Sequence, residues 1–271
     1  MTALPFLKQD VSGLIERHVL GMAEMGYRGL SEQWLKRRAG DLHWRLIARA
    51  MGQKEAVFTC RDGDPLYAAF CATSLQLSQP ERPRLGGDLT LSAHLFRVGS
   101  GRLASLLRIE ADGHDIGRMV LVSTFVGRSV EGSNRSVVRR SPRALAMPPD
   151  APSLVRRVAE RAALVARNVL RQDLDLEDFA REQAVLPCPA TDFNAVGLLY
   201  FPSYSALADR ALFQAGEIHS RMVASRHVVY LGNVEPGEWT GVSFRENSDG
   251  HDLILRGAKN RLLAMMRVRS R

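Results

Sequence analysis

The chain of 271 residues is 45% hydrophobic and 24% charged, an ordinary globular composition that excludes a disordered or fibrous protein. Its formal net charge of +8 indicates either an anionic partner, such as a small molecule, a protein, a membrane surface or nucleic acid, or a basic surface that is simply solvated. Nucleic acid is the weaker interpretation, because no basic run is interleaved with stacking aromatic residues.

Three scattered cysteines indicate a reducing compartment. Cys60, Cys71 and Cys188 have no CxxC spacing, so we expect free thiols and neither a disulfide framework nor a metal site. The first ten residues, MTALPFLKQD, lack the basic region and long apolar run of a signal peptide, and no stretch approaches the length of a membrane-spanning helix. The prediction is a cytoplasmic protein with no membrane or nucleic-acid partner.

The first half is predicted to contain helices followed by a strand meander. Residues 1–18 are expected to form a helical lead-in and residues 18–25 a short strand. Apolar residues then recur at helical spacing over 25–52, where Gly40 and Asp41 either separate two helices or mark a bend. Beyond this helix the pattern is typical of β-structure, with strands predicted at 56–60, 65–77, 88–97, 103–110 and 116–126.

A Ser-, Arg-, Pro- and Gly-rich segment at 127–153 is interpreted as a loop or linker between two halves. A helix is predicted at 154–170, followed by an acidic connector at 171–180. After a further apolar segment, strands are predicted at 221–231, 238–245, 252–255 and 262–268.

The two halves share one order of elements. At an offset of 166, Val19-Leu20 falls on Val185-Leu186, and the order of strand, polar aromatic turn and aromatic helix is shared by both halves. Such a repeat is typical of a duplicated fold. We therefore predict an α+β double hot-dog, in which two antiparallel sheets each wrap a central helix, with halves at 1–147 and 148–271.

The segment 191–214 organises the second half. Its polar turn, TDFN, precedes an apolar stretch that predicts a buried helix starting near Phe201, with Pro202 in the first turn. Asp192 and Asn194 either cap this helix or present polar groups to a ligand at its positive end. An Asp-x-Asn turn before a buried aromatic helix resembles the hot-dog fold of thioesterases and dehydratases, which bind a thioester near the helix N-terminus.

Six motifs in this order carry a more specific resemblance: GDLHW, YAAFCATSL, FRVGSGRLASLLRI, GSNRSVVRRSP, DFNAVGLLYFPSYSALADRA and VVYLGN. Together they resemble the LnmK-like double hot-dog family of polyketide biosynthesis, and within it the Pnap-type biosynthetic proteins. The resemblance covers residues 20–269. It implies an acyltransferase and decarboxylase that moves a malonyl- or methylmalonyl-type unit from coenzyme A to an acyl carrier protein, with the thioester as substrate and no bound cofactor.

The predicted catalytic residues are Asn194, Asp192, Cys71 and Tyr67. Asn194 can donate to the thioester or enolate oxygen, and Asp192 can act as a base if the reaction is hydrolysis. The resemblance implies a tyrosine acyl acceptor on the strand after the first helix. The position aligned with it holds Cys71, unless the register shifts and Tyr67 serves instead. His43 is either an acid or base or a structural histidine.

The predicted substrate-binding residues are Ser133, Asn134, Gly197 and Arg140. We expect the site to lie in the cleft between the halves, where the amino ends of both central helices converge on one thioester. The alternatives are a hot-dog thioesterase or dehydratase, or a non-catalytic module that binds an acylated carrier protein. Hot-dog sheets associate edge to edge, so a homodimer is a further expectation.

Overall fold

Two helices enclosed by antiparallel strands form the core of the computed structural model, which describes residues 13–143, 147–171, 179, 181–217 and 222–271. The first half contains β1 (Gly13–Val19), β2 (Met25–Gly26), β3 (Gly29–Leu30), α1 (Glu32–Ala50), β4 (Phe58–Thr59), β5 (Pro65–Leu77), β6 (Asp88–Arg97), β7 (Arg102–Ala111), β8 (His114–Arg128) and β9 (Val137–Arg139). The second half contains α2 (Ser153–Arg171), β10 (Arg181–Val185), α3 (Pro189–Asp192), α4 (Phe201–Gln214), β11 (Val223–Tyr230), β12 (Thr240–Asn247), β13 (Gly250–Gly257) and β14 (Arg261–Ser270).

One continuous sheet joins the two halves. Its strand order is β1-β6-β7-β8-β5-β11-β14-β13-β12-β10. The first strand of each half, β1 or β10, lies at an outer edge, and β5 and β11 meet at the centre. Residues 72–76 of β5 pair with residues 225–229 of β11. The predicted double hot-dog fold is confirmed, with a single sheet in place of the two separate sheets expected.

The strands predicted after each central helix are all present, with bounds within two residues of the expected ones. The helical lead-in is wrong for residues 13–18, which belong to β1, and residues 1–12 lie outside the described chain. Leu14, Glu16 and His18 alternate with exposed residues, and Glu16 accepts hydrogen bonds from two arginines of α1. A period of two with one face turned to a helix is the pattern of an edge strand. This strand ends at Val19 and a turn follows it, so the strand predicted over 18–25 is also wrong.

The interhalf segment is more ordered than the predicted loop. The strand β8 continues to Arg128, a short 3-10 helix spans Asn134–Ser136, and β9 pairs with the end of β8. The acidic connector predicted at 171–180 lies almost entirely outside the described residues. None of the helices that the structure describes is long and apolar enough to cross a bilayer.

The helix α2 packs on the outer face of the sheet, opposite the central helices. Val155, Ala159 and Ala162 recur at spacings of four and three, and all three are buried. They join a cluster that includes Ala72 of β5 and Val122 of β8. The apolar face of this helix therefore covers the sheet near the junction of the two halves.

The central helices run antiparallel through their contact. Lys36 of α1 donates a hydrogen bond to Ser205 of α4, whereas Gly40 lies one turn further along α1 and meets Phe201 at the start of α4. The predicted convergence of both amino ends is therefore wrong, because the amino end of α4 faces the middle of α1. Gly40 also ends no helix: α1 is continuous over 19 residues.

A buried ionic cluster joins the other end of this contact. Arg226 of β11 pairs with Glu32 of α1 (Nε–Oε1 2.8 Å) and Asp209 of α4 (Nη2–Oδ1 2.9 Å), while Lys36 pairs with Glu32 (Nζ–Oε1 2.6 Å). Burial raises the pKa of Asp209 and lowers that of Lys36. Burial opposes ionisation of Glu32 too, but Arg226 and Lys36 outweigh it and lower its pKa. Two cations facing two carboxylates leave the cluster formally neutral.

Candidate functional site

A cavity of about 1240 Å³ lies where the two halves meet. The walls come from α1, β5, β8, β9, α2, the segment before α4 and the segment after β11. The described lining residues include no aspartate, glutamate, histidine or lysine, so the titratable side chains are those of arginines, tyrosines and Cys71. Within the described residues, the cavity therefore offers hydrogen-bond donors and positive charge but no carboxylate or imidazole base.

Asn194 lines this cavity in the tight loop that leads into α4. Its Oδ1 accepts the backbone N–H of Val196 (3.1 Å) and of Leu198 (3.0 Å). Gly197, at φ +75°, allows the left-handed conformation that closes the turn. The Nδ2 of Asn194 has no hydrogen-bond partner among the described residues. The amide is thus oriented by its oxygen while its N–H groups stay available.

Asn134 holds this loop in place. Its Nδ2 donates to the carbonyl oxygens of Gly197 (2.6 Å) and Val234 (2.8 Å), and its Oδ1 accepts from Arg128 (2.8 Å). Arg128 also donates to the carbonyl of Val196 at 2.6 Å. Asn134 lines the cavity as predicted, but its side-chain amide is occupied, so the structure assigns it to positioning the loop.

Asp192 lies outside the cavity lining. Its carboxylate accepts two hydrogen bonds from Arg210, each 3.1 Å, and one from the backbone N–H of Cys188 at 2.8 Å. The side chain is only 3% exposed. The predicted role of general base is therefore corrected to a structural one: Asp192 ties α3 to α4. The sequence position beside Asn194 suggested shared chemistry, but the two side chains point to different surroundings.

Cys71 and Tyr67 line the cavity from the outer face of β5. A β-bulge between Phe70 and Ala72 turns both Cys71 and Ala72 away from the central helices. Burial raises the pKa of the Cys71 thiol, and Arg139 and Arg102 only partly offset this. The thiol is thus protonated at neutral pH, which disfavours the predicted nucleophile. The hydroxyl of Tyr67 has no partner among the described residues, and Arg128 lies 5.8 Å from its ring centre.

Aromatic rings form the wall that faces the central helices. Trp44 of α1 stacks on Tyr200 at 6.2 Å, and Phe201 lies 4.3 Å from Phe70. Tyr204 and Tyr230 lie deeper in the wall. Their hydroxyls bond to the Gly232 carbonyl at 2.6 Å and to the Thr73 hydroxyl at 3.0 Å.

Burial raises the pKa of Tyr204 and of Tyr230, so both phenols remain neutral. The aromatic side of the cavity is therefore apolar and rigid. This chamber suits an acyl group better than a charged one.

Arginines surround the cavity without acidic partners in its lining. Arg37 of α1 and Arg139 of β9 lack a carboxylate partner in the described chain, whereas Arg135 pairs with Glu238 at 3.0 Å. Three predicted substrate-binding residues lie outside the lining, and Gly197, which closes the turn of Asn194, is one of them. Ser133 donates to Glu235 at 3.0 Å, and Arg140 is exposed and outside the lining, so its neighbour Arg139 takes the expected place.

His43 is structural. It is fully buried, with Nδ1 and Nε2 each 2.8 Å from a serine hydroxyl, those of Ser105 and Ser123. Burial lowers its pKa to about 3. The histidine therefore cross-links α1 to β7 and β8 and does not reach the cavity.

Sequence analysis missed the wall residues Trp44, Tyr200, Tyr204 and Tyr230. Tyr200 and Tyr204 belong to the apolar segment singled out as the second central helix, where only the core interpretation was drawn. Arg37 and Trp44 lie seven residues apart on α1, two turns along one face. That spacing was readable, but nothing local indicated which face of α1 meets the second half.

No known family profile and no curated protein sequence matches this chain. Solved structures do. The 12:0-ACP thioesterase from Umbellularia californica superposes with a TM-score of 0.66 and 12% identity over 98% of this chain and 99% of that one. An acyl-ACP thioesterase from Bacteroides thetaiotaomicron superposes with a TM-score of 0.62 and 9% identity, over 96% of this chain and 98% of that one. A MaoC-like dehydratase from Phytophthora capsici superposes with a TM-score of 0.51 and 13% identity, over 97% of this chain and 96% of that one. The fold is that of the hot-dog proteins.

Proposed function

We propose that this chain is a hot-dog enzyme that acts on acyl thioesters of coenzyme A or of an acyl carrier protein. One observation carries the proposal: the unpartnered Nδ2 of Asn194 lines the cavity beside the amino end of α4. A thioester oxygen placed there would receive a hydrogen bond and the positive end of the helix dipole as negative charge develops on it. The acyl group would occupy the aromatic chamber.

The reaction named for two of the similar structures is hydrolysis of an acyl-ACP thioester. In this cavity, stabilisation of the oxyanion by Asn194 and α4 is the catalytic contribution of the described residues. Water would attack the carbonyl carbon, and the thiol of the carrier would leave. The arginines and the formal net charge of +8 suit the phosphates of coenzyme A or an acidic carrier protein.

A second candidate is decarboxylation and transfer of a malonyl-type unit, as the resemblance to the LnmK-like family implies. The base-free lining favours it, because loss of carbon dioxide requires stabilisation of an enolate oxygen and no proton abstraction. Arg37, which has no carboxylate partner in the described chain, could hold the acyl carboxylate. Here Tyr67 remains the candidate acceptor hydroxyl, since its oxygen has no other partner among the described residues.

Mass spectrometry after incubation with acetyl-, octanoyl-, malonyl- and methylmalonyl-coenzyme A, with and without carrier protein, separates the candidates. Free acid indicates hydrolysis, and loss of carbon dioxide with acyl transfer indicates the second reaction. Binding without turnover would leave a carrier-binding module. Asn194→Ala should lower turnover about 100-fold. Asn168→Ala on α2, outside the lining, is the matched control, and equal activity of both variants would contradict the role of Asn194.

A further inference from the structure

The central sheet is open beside the cavity. The strand β5 pairs with β8 from Tyr67 onward, but its other edge meets β11 only over 72–76. Beyond Tyr230 the chain stays bonded to β14, where the N–H groups of Leu231 and Gly232 donate to the carbonyl of Leu263 at 2.8 and 3.1 Å. Residues 67–71 therefore have no strand partner on that edge within the described chain, and a gap separates them from 231–233.

The cavity occupies both faces of the sheet at this gap. Phe70 and Trp44 line it on the face of the central helices, and Ala69 and Cys71 line it on the opposite face. The bulge in β5 lies at the point where β11 diverges. We call the part of the cavity beside Phe70 and Trp44 the inner chamber, and the part beside Ala69 and Cys71 the outer chamber. The two parts meet at the unpaired edge of β5.

The outer chamber has a roof formed by α2. The apolar stripe of this helix runs Val155, Ala159, Ala162, Ala166 and Val169 at alternating spacings of four and three. Its first three members are buried against the sheet, whereas the last two line the cavity. The same stripe thus covers packed side chains at one end and unfilled space at the other. Ala166 of the roof and Ala69 of the sheet are small side chains that line this space.

Each chamber has a lining arginine without a carboxylate partner in the described chain: Arg37, beside the ring of Tyr200, on the inner side and Arg139 on the outer side. Arg139 lines the cavity on the outer side and is exposed, with no carboxylate partner in the described chain, and its charge acts on Cys71. The inner chamber ends in neutral, hydrogen-bonded tyrosines. An extended ligand with an anionic end and an apolar end matches this order of surroundings.

The geometry points to a pantetheine lane through the sheet: the phosphate end of a coenzyme A or carrier-protein thioester lies near Arg139, its arm runs over Ala69 and Cys71 beneath α2, and its acyl group reaches the inner chamber through the gap. This inference rests on the proposed function for the identity of the ligand. It assigns the arm and the acyl group to opposite faces of one sheet.

Cys71 reports on the lane directly. In a Cys188→Ser variant, which removes the exposed thiol, labelling of Cys71 by N-ethylmaleimide is followed by peptide mass spectrometry. The probe is S-methyl-coenzyme A, an unreactive thioether with an intact pantetheine arm. At about ten times its Kd it should slow labelling about tenfold. Adenosine 3′,5′-bisphosphate, which lacks the arm, should not. An unchanged rate, or equal protection by both compounds, overturns the lane.

Filling the lane tests the route during turnover. Ala166→Phe narrows the roof, and Leu164→Phe, at a position 50% exposed on α2, is the matched control. Ala166→Phe should lower kcat/KM for an acyl-coenzyme A about tenfold, because the arm loses its place. For the N-acetylcysteamine thioester of the same acyl group, which lacks most of the arm, the change should be below about twofold. Equal losses for both thioesters contradict the lane. Protection of Cys71 without any turnover would support the lane while refuting the proposed enzymatic function.

Discussion

Gly40 of α1 faces the ring of Phe201 so closely that a Cβ at this position would lie 2.7 Å from the Cε1 atom of Phe201 and 2.9 Å from its Cζ. The ring cannot easily move aside, because Phe70, Tyr200 and Trp44 contact it at centroid distances between 4.3 and 6.5 Å. Glycine at this helix position is thus required by the antiparallel contact of the two central helices.

Gly40→Ala should therefore destabilise the protein, although alanine is the better helix former. Helix propensity favours the substitution by about 1 kcal/mol, whereas overpacking in a rigid core costs about 1–3 kcal/mol. We expect a net loss of ~1 kcal/mol in urea unfolding. Adding Phe201→Leu should recover part of the loss in a double-mutant cycle. A Gly40→Ala protein as stable as the parent would show that the helices are not in this contact.

His43 makes stability depend on pH. Its pKa is about 3 in the folded protein against 6.5 as the ordinary value, and its ring contacts are two serines and Phe70, none of them charged. The unfolded chain binds the proton more tightly, so stability is lost as pH falls below 6.5. At pH 5 the loss is about 2 kcal/mol relative to pH 7. Urea unfolding at both pH values measures it.

His43→Gln is the control for this dependence, because glutamine keeps hydrogen-bonding capacity and does not titrate. The variant should be less stable at pH 7 yet lose less stability between pH 7 and 5 than the parent does. Comparison of the two proteins removes the contribution of the other histidines. Parallel pH profiles would assign the acid sensitivity elsewhere.

The contribution of the buried ionic cluster to the free energy of unfolding should depend on its net charge rather than on any one residue. Glu32→Gln leaves one surplus cation in the core, and Lys36→Met leaves one surplus carboxylate. Each should cost about 3 kcal/mol, since an uncompensated buried charge is strongly destabilising. The double variant restores neutrality, and its cost should fall below the sum of the singles by ~2 kcal/mol. Additive losses would mean that the charges act independently.

Asp192 should matter for stability and not for chemistry. Asp192→Asn weakens the paired hydrogen bonds to Arg210, so the free energy of unfolding should fall by about 1–3 kcal/mol. Turnover of an acyl thioester per folded molecule should change less than about threefold, since a residue outside the cavity makes no contact that is specific to the transition state. Arg210→Met should reproduce both effects. A 100-fold loss of turnover in a stable Asp192→Asn protein would restore the carboxylate to the mechanism.

Periodicity made the fold predictable, and the same property limited the prediction of the site. Alternating apolar and polar residues between turn signals predict strands such as β5 and β6. The buried helix α4 is predicted by apolar residues around most of its circumference and by Pro202 in its first turn. The edge strand β1 falls within the predicted lead-in helix because Leu7, Val11, Leu14 and Ile15 recur at helical spacing. The inward face of the strand carries Glu16 and His18, whose partners lie on a distant element.

The site depends on contacts between halves, which local patterns do not encode. Asn194 lines the cavity, and its turn carries a recognisable polar motif. Asp192, two residues away, belongs to an ion pair that only the folded chain shows. The relative direction of α1 and α4 could not be predicted from the sequence either. It follows from two contacts in the folded chain, Lys36 with Ser205 and Gly40 with Phe201.

The antiparallel helices also bear on ligand stoichiometry. A twofold pair of single hot-dog chains presents two identical pockets. In this chain one end of the helix contact lies at Phe201, which lines the cavity, whereas the other end is filled by Glu32, Asp209 and Arg226. Calorimetric titration should therefore find one ligand per chain of 271 residues. Of the two pocket positions that a twofold pair would have, one is occupied here by the buried ionic cluster, and the other opens into the cavity that both halves line.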